Sequence, residues 1–150
     1  MSDWIDSDAV AGVADLFGAV TRPELERALS ELAYRRDEEC PEGCIETAIE
    51  TFALVTVDDD EALLVPGPAA FPTLVDGAED LPHILDLDPR SVDRTRVGRA
   101  AAERFRAEAT SAIERNDAER ARELLDVSYE IEAWGGPELS EIRAQLDGMN

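Results

Sequence analysis

The sequence predicts a mainly α fold with one β-hairpin, in which an N-terminal module of three helices and the hairpin precedes a C-terminal three-helix bundle. Three observations support this prediction. Apolar residues recur at helical spacing over most of the chain. The spacing becomes extended in two short apolar runs, 54–57 and 62–65, which a four-residue acidic loop separates, as is typical of a hairpin. A segment rich in Pro, Gly and Asp then divides the chain into two helical parts.

Capping residues and apolar stripes indicate the first three helices. Ser7 and Asp8 are both capable N-caps of the first helix. Thr21, Pro23 and Glu24 predict a capping box at the start of the second, with the proline in the tolerant first turn. The third follows Pro41. The three stripes comprise Val10, Val13, Phe17 and Val20, then Leu25, Ala28, Leu29 and Leu32, and then Cys44, Ile45, Ala48, Ile49 and Phe52.

The Pro-rich segment is the candidate domain boundary. We predict an N-terminal module over residues 1–66, an irregular connector over 67–89 and a helical bundle over 90–150. A break at Asn116-Asp117 and a stop at 135–137 divide the bundle into three helices. Their apolar stripes are Val97, Ala101, Phe105, Ala109 and Ile113, then Ala121, Leu124, Leu125, Ser128 and Ile131, and then Leu139, Ile142 and Leu146.

Two resemblances follow from this organisation. Three helices followed by a hairpin is the order of elements in a winged helix, so the N-terminal module resembles that fold. Residues 13–19, 65–72 and 124–129, together with the order of elements, resemble a family of uncharacterised haloarchaeal proteins over most of the chain. The family resemblance implies no activity, whereas a winged helix commonly implies binding to DNA.

The charge balance indicates adaptation to high salt. The chain has 35 acidic residues against 14 basic ones, all of them Arg, which gives a net charge of -21. At about 1 M salt the Debye length is only about 3 Å, so the repulsion among these acids is screened. The first six residues lack the features of a secretory signal, and no apolar run approaches the ~20 residues that cross a bilayer. We therefore expect a cytoplasmic protein of a salt-adapted cell that does not bind membranes.

The distribution of charge disfavours DNA as the partner. Glu42, Glu46 and Glu50 line one face of the third helix, and the hairpin loop 58–61 is entirely acidic. Both elements that would approach phosphates in a winged helix therefore carry the wrong sign. Residues 1–89 have a charge balance of -18 and residues 90–150 one of -3. We expect another protein as the partner, with a DNA-binding transcription regulator as the alternative.

The richest basic segment is the first helix of the bundle. Arg96, Arg99 and Arg106 fall on one side of that helix, opposite its apolar stripe, and are the candidate partner-binding residues. Glu103 lies among them at a spacing suitable for ion pairs. Two interpretations remain open: a salt-bridged solvent face, or a docking site for an acidic partner or nucleic acid.

No pattern in the chain indicates catalysis or a cofactor. A structural zinc site needs four ligands, and Cys40 and Cys44 have only His83 to help them. The two cysteines are expected to be packing residues or a redox pair. His83 has no activated nucleophile nearby in sequence, and the glycine motifs of hydrolases and nucleotide-binding proteins are missing. The sequence thus predicts a non-enzymatic adaptor or regulatory module without catalytic, metal-binding or cofactor-binding residues.

Overall fold

The computed structural model describes residues 5–40, 42–58, 61–134 and 138–148. Within them the chain forms seven α-helices and one antiparallel two-stranded hairpin, which confirms the predicted class, mainly α with one β-hairpin. A 3₁₀ turn over Ala78–Asp80 precedes the fourth helix. The elements are α1 (Ser7–Phe17), α2 (Arg22–Arg35), α3 (Cys44–Glu50), β1 (Leu54–Asp58), β2 (Ala62–Pro66), α4 (Leu81–Leu85), α5 (Arg94–Glu114), α6 (Ala118–Ala133) and α7 (Ser140–Asp147).

Local capping chemistry sets the helix starts. The predicted capping box is present: the Thr21 hydroxyl accepts from the Glu24 amide at 3.3 Å, and the Glu24 carboxylate accepts from the Thr21 amide at 2.8 Å. Asp117 caps α6 after the predicted break, by accepting from the Arg120 amide. The cap of α1 is Asp6, just before the expected Ser7 and Asp8. The stop predicted at 135–137 lies outside the described residues, although α6 ends just before it.

Val20 does not extend the first helix, contrary to the prediction. Helix α1 ends at Phe17, and Gly18 follows with a φ of +80°, a left-handed conformation that suits glycine. Val20 instead forms an antiparallel bridge to Leu64 of β2, with N···O distances of 3.0 and 2.6 Å. One edge of the hairpin is thereby paired, and the other edge belongs to β1.

The hairpin contributes to two hydrophobic cores. Its register runs from Leu54 opposite Pro66 to Asp58 opposite Ala62. Because strand residues alternate between faces, Leu54 and Leu64 pack into a core with α1–α4, whereas other residues face a core with α5–α7. The residues of the hairpin in the second core are Val55, Val57, Leu63 and Val65.

The segment predicted as an irregular connector is attached to α1. The Thr73 amide donates to the Asp8 carbonyl at 3.2 Å, and the Phe71 amide to the Asp8 carboxylate at 3.1 Å. Directly after the segment, the Arg90 amide donates to the Phe17 carbonyl at 2.8 Å. The segment also contains α4, which the sequence did not predict and which lies in the first core. The division into three regions at residues 66 and 89 stays a prediction.

Candidate functional site

Helix α5 presents the three predicted arginines on its exposed side. Arg96, Arg99 and Arg106 are exposed, whereas Val97 and Phe105 on the opposite side are buried in the second core. The Arg96 guanidinium donates from Nη2 to the carbonyl oxygen of Asp58 at 2.7 Å, which connects α5 to the end of β1. The helical spacing therefore predicted the exposure of these residues correctly.

An open groove of about 490 Å³ runs between α5 and β1. Arg96 and Arg99 line it together, and Arg106 is not among its lining residues. The structure thus brings two of the three candidate residues to one site. The remaining lining residues are Thr56, Val57 and Asp58 of β1 and Ala100, Glu103 and Arg104 of α5.

The edge of β1 that faces away from β2 carries outward-pointing backbone groups. Leu64 uses both its N–H and its C=O to bond Val20, so neither points toward its partner Thr56 in β1. Hydrogen-bonded and non-hydrogen-bonded pairs alternate along an antiparallel ladder, so the Thr56 N–H and C=O point away from β2 as well. The Asp58 carbonyl, two residues further along β1, points in the same direction, and it accepts a hydrogen bond from the Arg96 guanidinium. Thr56 therefore offers one donor and one acceptor at an open strand edge.

Glu103 does not neutralise Arg99 or Arg106, contrary to what the sequence suggested. Neither Arg99 nor Arg106 forms an ion pair with any residue that the structure describes, and Glu103 pairs with neither of them. The spacing-based expectation of a salt-bridged face around Glu103 is therefore wrong for these side chains. Two exposed guanidinium groups thus lack a carboxylate partner within the described part of a chain that has 35 acids.

Arg104, one of the lining residues, belongs to a polar network that the sequence did not reveal. Arg104 donates from Nη1 to the carbonyl oxygen of Ile49, at the end of α3, and stacks over the Phe52 ring at 4.6 Å. The Glu108 carboxylate accepts from Arg104 at 3.3 Å and from Arg120 at 3.1 Å. Burial lowers the pKa of Arg104, but guanidinium remains charged at any physiological pH.

This network fixes α3 against the C-terminal helices. The Arg120 guanidinium also donates to the carbonyl oxygen of Glu50, at 3.1 Å. Cations at the C-terminus of a helix are favourable because the unpaired carbonyls there carry partial negative charge. Only the i, i+4 spacing of Arg104 and Glu108 was visible in the sequence.

A second cluster links α2 and the hairpin to Arg90, the residue that follows the connector. Its guanidinium contacts both carboxylate oxygens of Glu24, at 2.6 and 3.1 Å, as well as Glu61 at 3.2 Å and the Ala19 carbonyl at 3.3 Å. The hydrogen bond from Arg90 lowers the pKa of Glu24. This arginine therefore joins the chain just after the connector to α2 and to the hairpin.

The acidic face predicted on α3 is exposed. Glu46 and Glu50 are exposed on α3, but the helix begins at Cys44, so Glu42, also exposed, lies before it and not on the predicted face. Glu46 forms an ion pair with Arg22 of α2. Asp59 and Asp60 of the hairpin loop lie outside the described residues. The exposed acids on and just before α3 therefore give this surface the negative charge that the sequence predicted.

The two thiols lie together at the start of α3, and the histidine lies elsewhere. The Sγ atoms of Cys40 and Cys44 are 3.8 Å apart, and both side chains are partly buried against the first core. His83 is exposed on α4. Among the described residues, no group of three or more His, Cys, Asp or Glu side chains is arranged to hold a metal ion. In the same residues, every helix is too short or too polar to span a bilayer.

Comparison with known proteins places the chain in a family. A family model described as "Family of unknown function (DUF7109)" matches residues 8–150, which include all of the elements above except Ser7 at the start of α1. The chain belongs to this family. Neither a curated protein nor a solved structure matches it. A family of unknown function is what the sequence resemblance led us to expect. Because the family supplies no activity, the groove beside β1 must be interpreted from its own chemistry.

Proposed function

We propose that this chain is a non-enzymatic protein-interaction adaptor of a salt-adapted cytoplasm, and that it binds an acidic, extended segment of another protein in the groove between β1 and α5. The open edge of β1 at Thr56, next to Arg96 and Arg99, carries the proposal. An extended peptide that adds to a sheet edge gains main-chain hydrogen bonds, and side chains beside the strand supply specificity.

The alternation of the added strand gives the expected pattern of the partner. Every second side chain of such a strand would face α5, so acids at alternate positions would meet Arg96 and Arg99. Arg106 lies further along the same exposed side of α5, where it would extend the contact beyond the groove. Arginine forks match carboxylates in a bidentate geometry, which favours acidic over neutral segments.

High salt is compatible with this mode of binding. At about 1 M salt the Debye length of about 3 Å leaves only ion pairs in direct contact effective, and main-chain hydrogen bonds do not depend on long-range charge. The same screening suppresses the repulsion between an acidic partner and a chain of net charge -21. We therefore expect affinity to rise between 0.1 M and 1 M KCl, opposite to the behaviour of a phosphate-binding surface.

DNA binding through a winged-helix-like module is the weaker alternative. The element order α1, α2, α3, β1, β2 and the bridge at Val20 are compatible with that fold. However, the helix that would enter the major groove has seven residues and exposes Glu46 and Glu50, and the exposed Glu42 lies just before it. Carboxylates on the contact face oppose the phosphate contacts that dominate affinity for DNA.

A pull-down from nuclease-treated extract in molar KCl tests the proposal. The bait is the full chain, compared with a double variant, Arg99→Glu with Arg106→Glu, and a matched control, Arg27→Glu with Arg122→Glu. All four arginines are exposed and have no ion pair within the part of the chain that the structure describes, so neither variant breaks an ion pair. Because each variant replaces two Arg with two Glu, both change the net charge equally.

We expect a stoichiometric protein partner that the wild type and the control retain and the Arg99/Arg106 variant loses. Equal recovery of the partner by both variants would contradict the proposed site. Recovery of specific DNA fragments, with omission of the nuclease, would favour the winged-helix alternative.

A further inference from the structure

The loop that leads into α3 holds two thiols in contact. The Sγ atoms of Cys40 and Cys44 are 3.8 Å apart, whereas a disulfide requires about 2.05 Å, a difference that small side-chain and loop movements can cover. Gly43 precedes α3 with a φ of +75°, and no other atom lies within 4 Å of the position where its Cβ would be. Gly43 therefore has room to adjust as the sulfurs approach.

Cys40 and Cys44 both line an open groove of about 250 Å³ between α2 and the start of α3. A small molecule can therefore meet the thiols without unfolding of the chain. The charged residues that line this groove are Arg22, Glu26, Glu42 and Glu46.

We propose that Cys40 and Cys44 are a reversible thiol–disulfide site, which a low-molecular-weight disulfide oxidises and the corresponding thiol reduces. Disulfides in reducing compartments are commonly transient or redox-sensing, and two thiols held side by side favour an intramolecular bond over cross-links between chains. The bond would join the segment after α2 covalently to the first turn of α3. This inference is independent of the partner-binding groove at β1.

The exchange proceeds in two steps. The Cys40 thiolate attacks one sulfur of the small disulfide, an S–S bond forms to Cys40, and the other half leaves and takes up a proton as a free thiol. Cys44 then loses its proton and attacks Sγ of Cys40, which releases the second half as a second free thiol. The two cysteines are oxidised by two electrons, and the small disulfide is reduced by the same two.

Burial of the Cys44 thiol favours this order of attack. Removal from water, reinforced by the neighbouring Cys40, raises the pKa of Cys44 to about 11. Thiolates rather than thiols are the attacking species, so Cys44 is mostly protonated at neutral pH and is suited to the second, intramolecular step.

Equilibration of the full chain in buffers of reduced and oxidised glutathione at constant molar KCl tests the site. Free thiols are trapped by alkylation, and the products are identified by mass, both in the folded state and in concentrated urea. Because the fold holds the sulfurs together, we expect the equilibrium constant for the intramolecular disulfide to be at least about tenfold larger in the folded chain than in urea. An equal or smaller constant in the folded chain would overturn the proposal.

The Cys44→Ser variant provides the control. Since it lacks the second thiol, we expect it to accumulate glutathione on Cys40, whereas the wild type loses two hydrogens and keeps no glutathione. A wild type that retains glutathione, forms disulfides between chains or keeps both thiols in oxidising buffer would refute the site. So would a Cys44→Ser variant whose Cys40 does not react.

Discussion

Replacing Gly12 with Ala tests whether the connector is packed on α1 as the structure indicates. Gly12 lies inside α1, and an added Cβ would stand 1.9 Å from the carbonyl oxygen of Thr73 and 2.7 Å from its carbonyl carbon. Both atoms are backbone, so a side-chain rotation cannot relieve the contact. The connector must move away, which weakens the bonds from the Thr73 and Phe71 amides to Asp8.

Two opposing effects set the size of this change. Alanine inside a helix is favoured over glycine by about 1 kcal/mol, which alone would stabilise the variant. Overpacking costs about 1–3 kcal/mol, and each weakened hydrogen bond costs about 0.5–1.5 kcal/mol. The clash therefore wins, and we expect Gly12→Ala to lower the free energy of unfolding by about 2 kcal/mol.

Urea unfolding at constant molar KCl measures this difference. Gly148→Ala is the matched control, because its added Cβ would meet the nearest atoms at 3.5 and 3.6 Å, and we expect a change within about 0.5 kcal/mol. A Gly12→Ala variant as stable as the wild type, or more stable, would refute the close packing of the connector on α1.

Three further predictions follow from the ion pairs and the charge distribution. Arg104→Met removes the contact to the end of α3 and should lower the free energy of unfolding by about 1–2 kcal/mol. The control Arg122→Met, at an exposed position, should change it by less than about 0.5 kcal/mol. Similar losses in both variants would contradict a stabilising role of the Arg104 network. Arg90 lowers the pKa of Glu24, so this pair stabilises the fold above the unfolded pKa of about 4.3 and ceases to do so as pH falls through the lower folded pKa. The stability difference between wild type and Arg90→Met should therefore shrink from pH 7 to pH 3 in urea titrations, and a constant difference would rule out this linkage. Dilution from about 1 M to 0.1 M KCl lengthens the Debye length from about 3 to about 10 Å, so the acids begin to repel one another. Amide hydrogen exchange should then lose protection earlier in the residues N-terminal to 66, in the half that carries most of the charge, than in the C-terminal helices. Equal protection in both halves would oppose this account.

Features that depend on neighbouring residues were predictable from the sequence. The capping box at Thr21 and Glu24 and the break at Asn116-Asp117 are recognised within a few positions, because capping is a local interaction. The hairpin followed from its two apolar runs and polar loop. These signals together sufficed for the fold class and for the order of six of the seven described helices.

Features that depend on distant contacts were not. Val20 continues an apolar stripe at helical spacing, but Gly18 ends the helix and Leu64, far along the chain, provides a strand partner. Helix α4 lies in a segment of helix-breaking composition and is stabilised by burial of Leu81 and Leu85 against the first core. Tertiary packing outweighs local propensity in both places.

Only part of the candidate site was predictable, because the rest of it depends on contacts between distant segments of the chain. Helical periodicity predicted that Arg96, Arg99 and Arg106 are exposed together. It could not show that α5 lies beside the unpaired edge of β1, which requires the register of the hairpin and the bridge to Val20. The spacing of Glu103 suggested ion pairs, but spacing does not determine the direction of long side chains.

The affinity of the recovered partner for Thr56 variants tests the proposed docking most directly. Thr56→Pro removes the outward N–H but no hydrogen bond of the hairpin, whereas Thr56→Val keeps the N–H and the β-branched shape. Leaving a buried acceptor of the partner unpaired costs about 1–3 kcal/mol, so calorimetry in molar KCl should show Thr56→Pro binding about 5- to 150-fold more weakly, and Thr56→Val within about threefold of wild type. Equal affinity of the two variants, with both hairpins intact by hydrogen exchange, would contradict strand addition at β1.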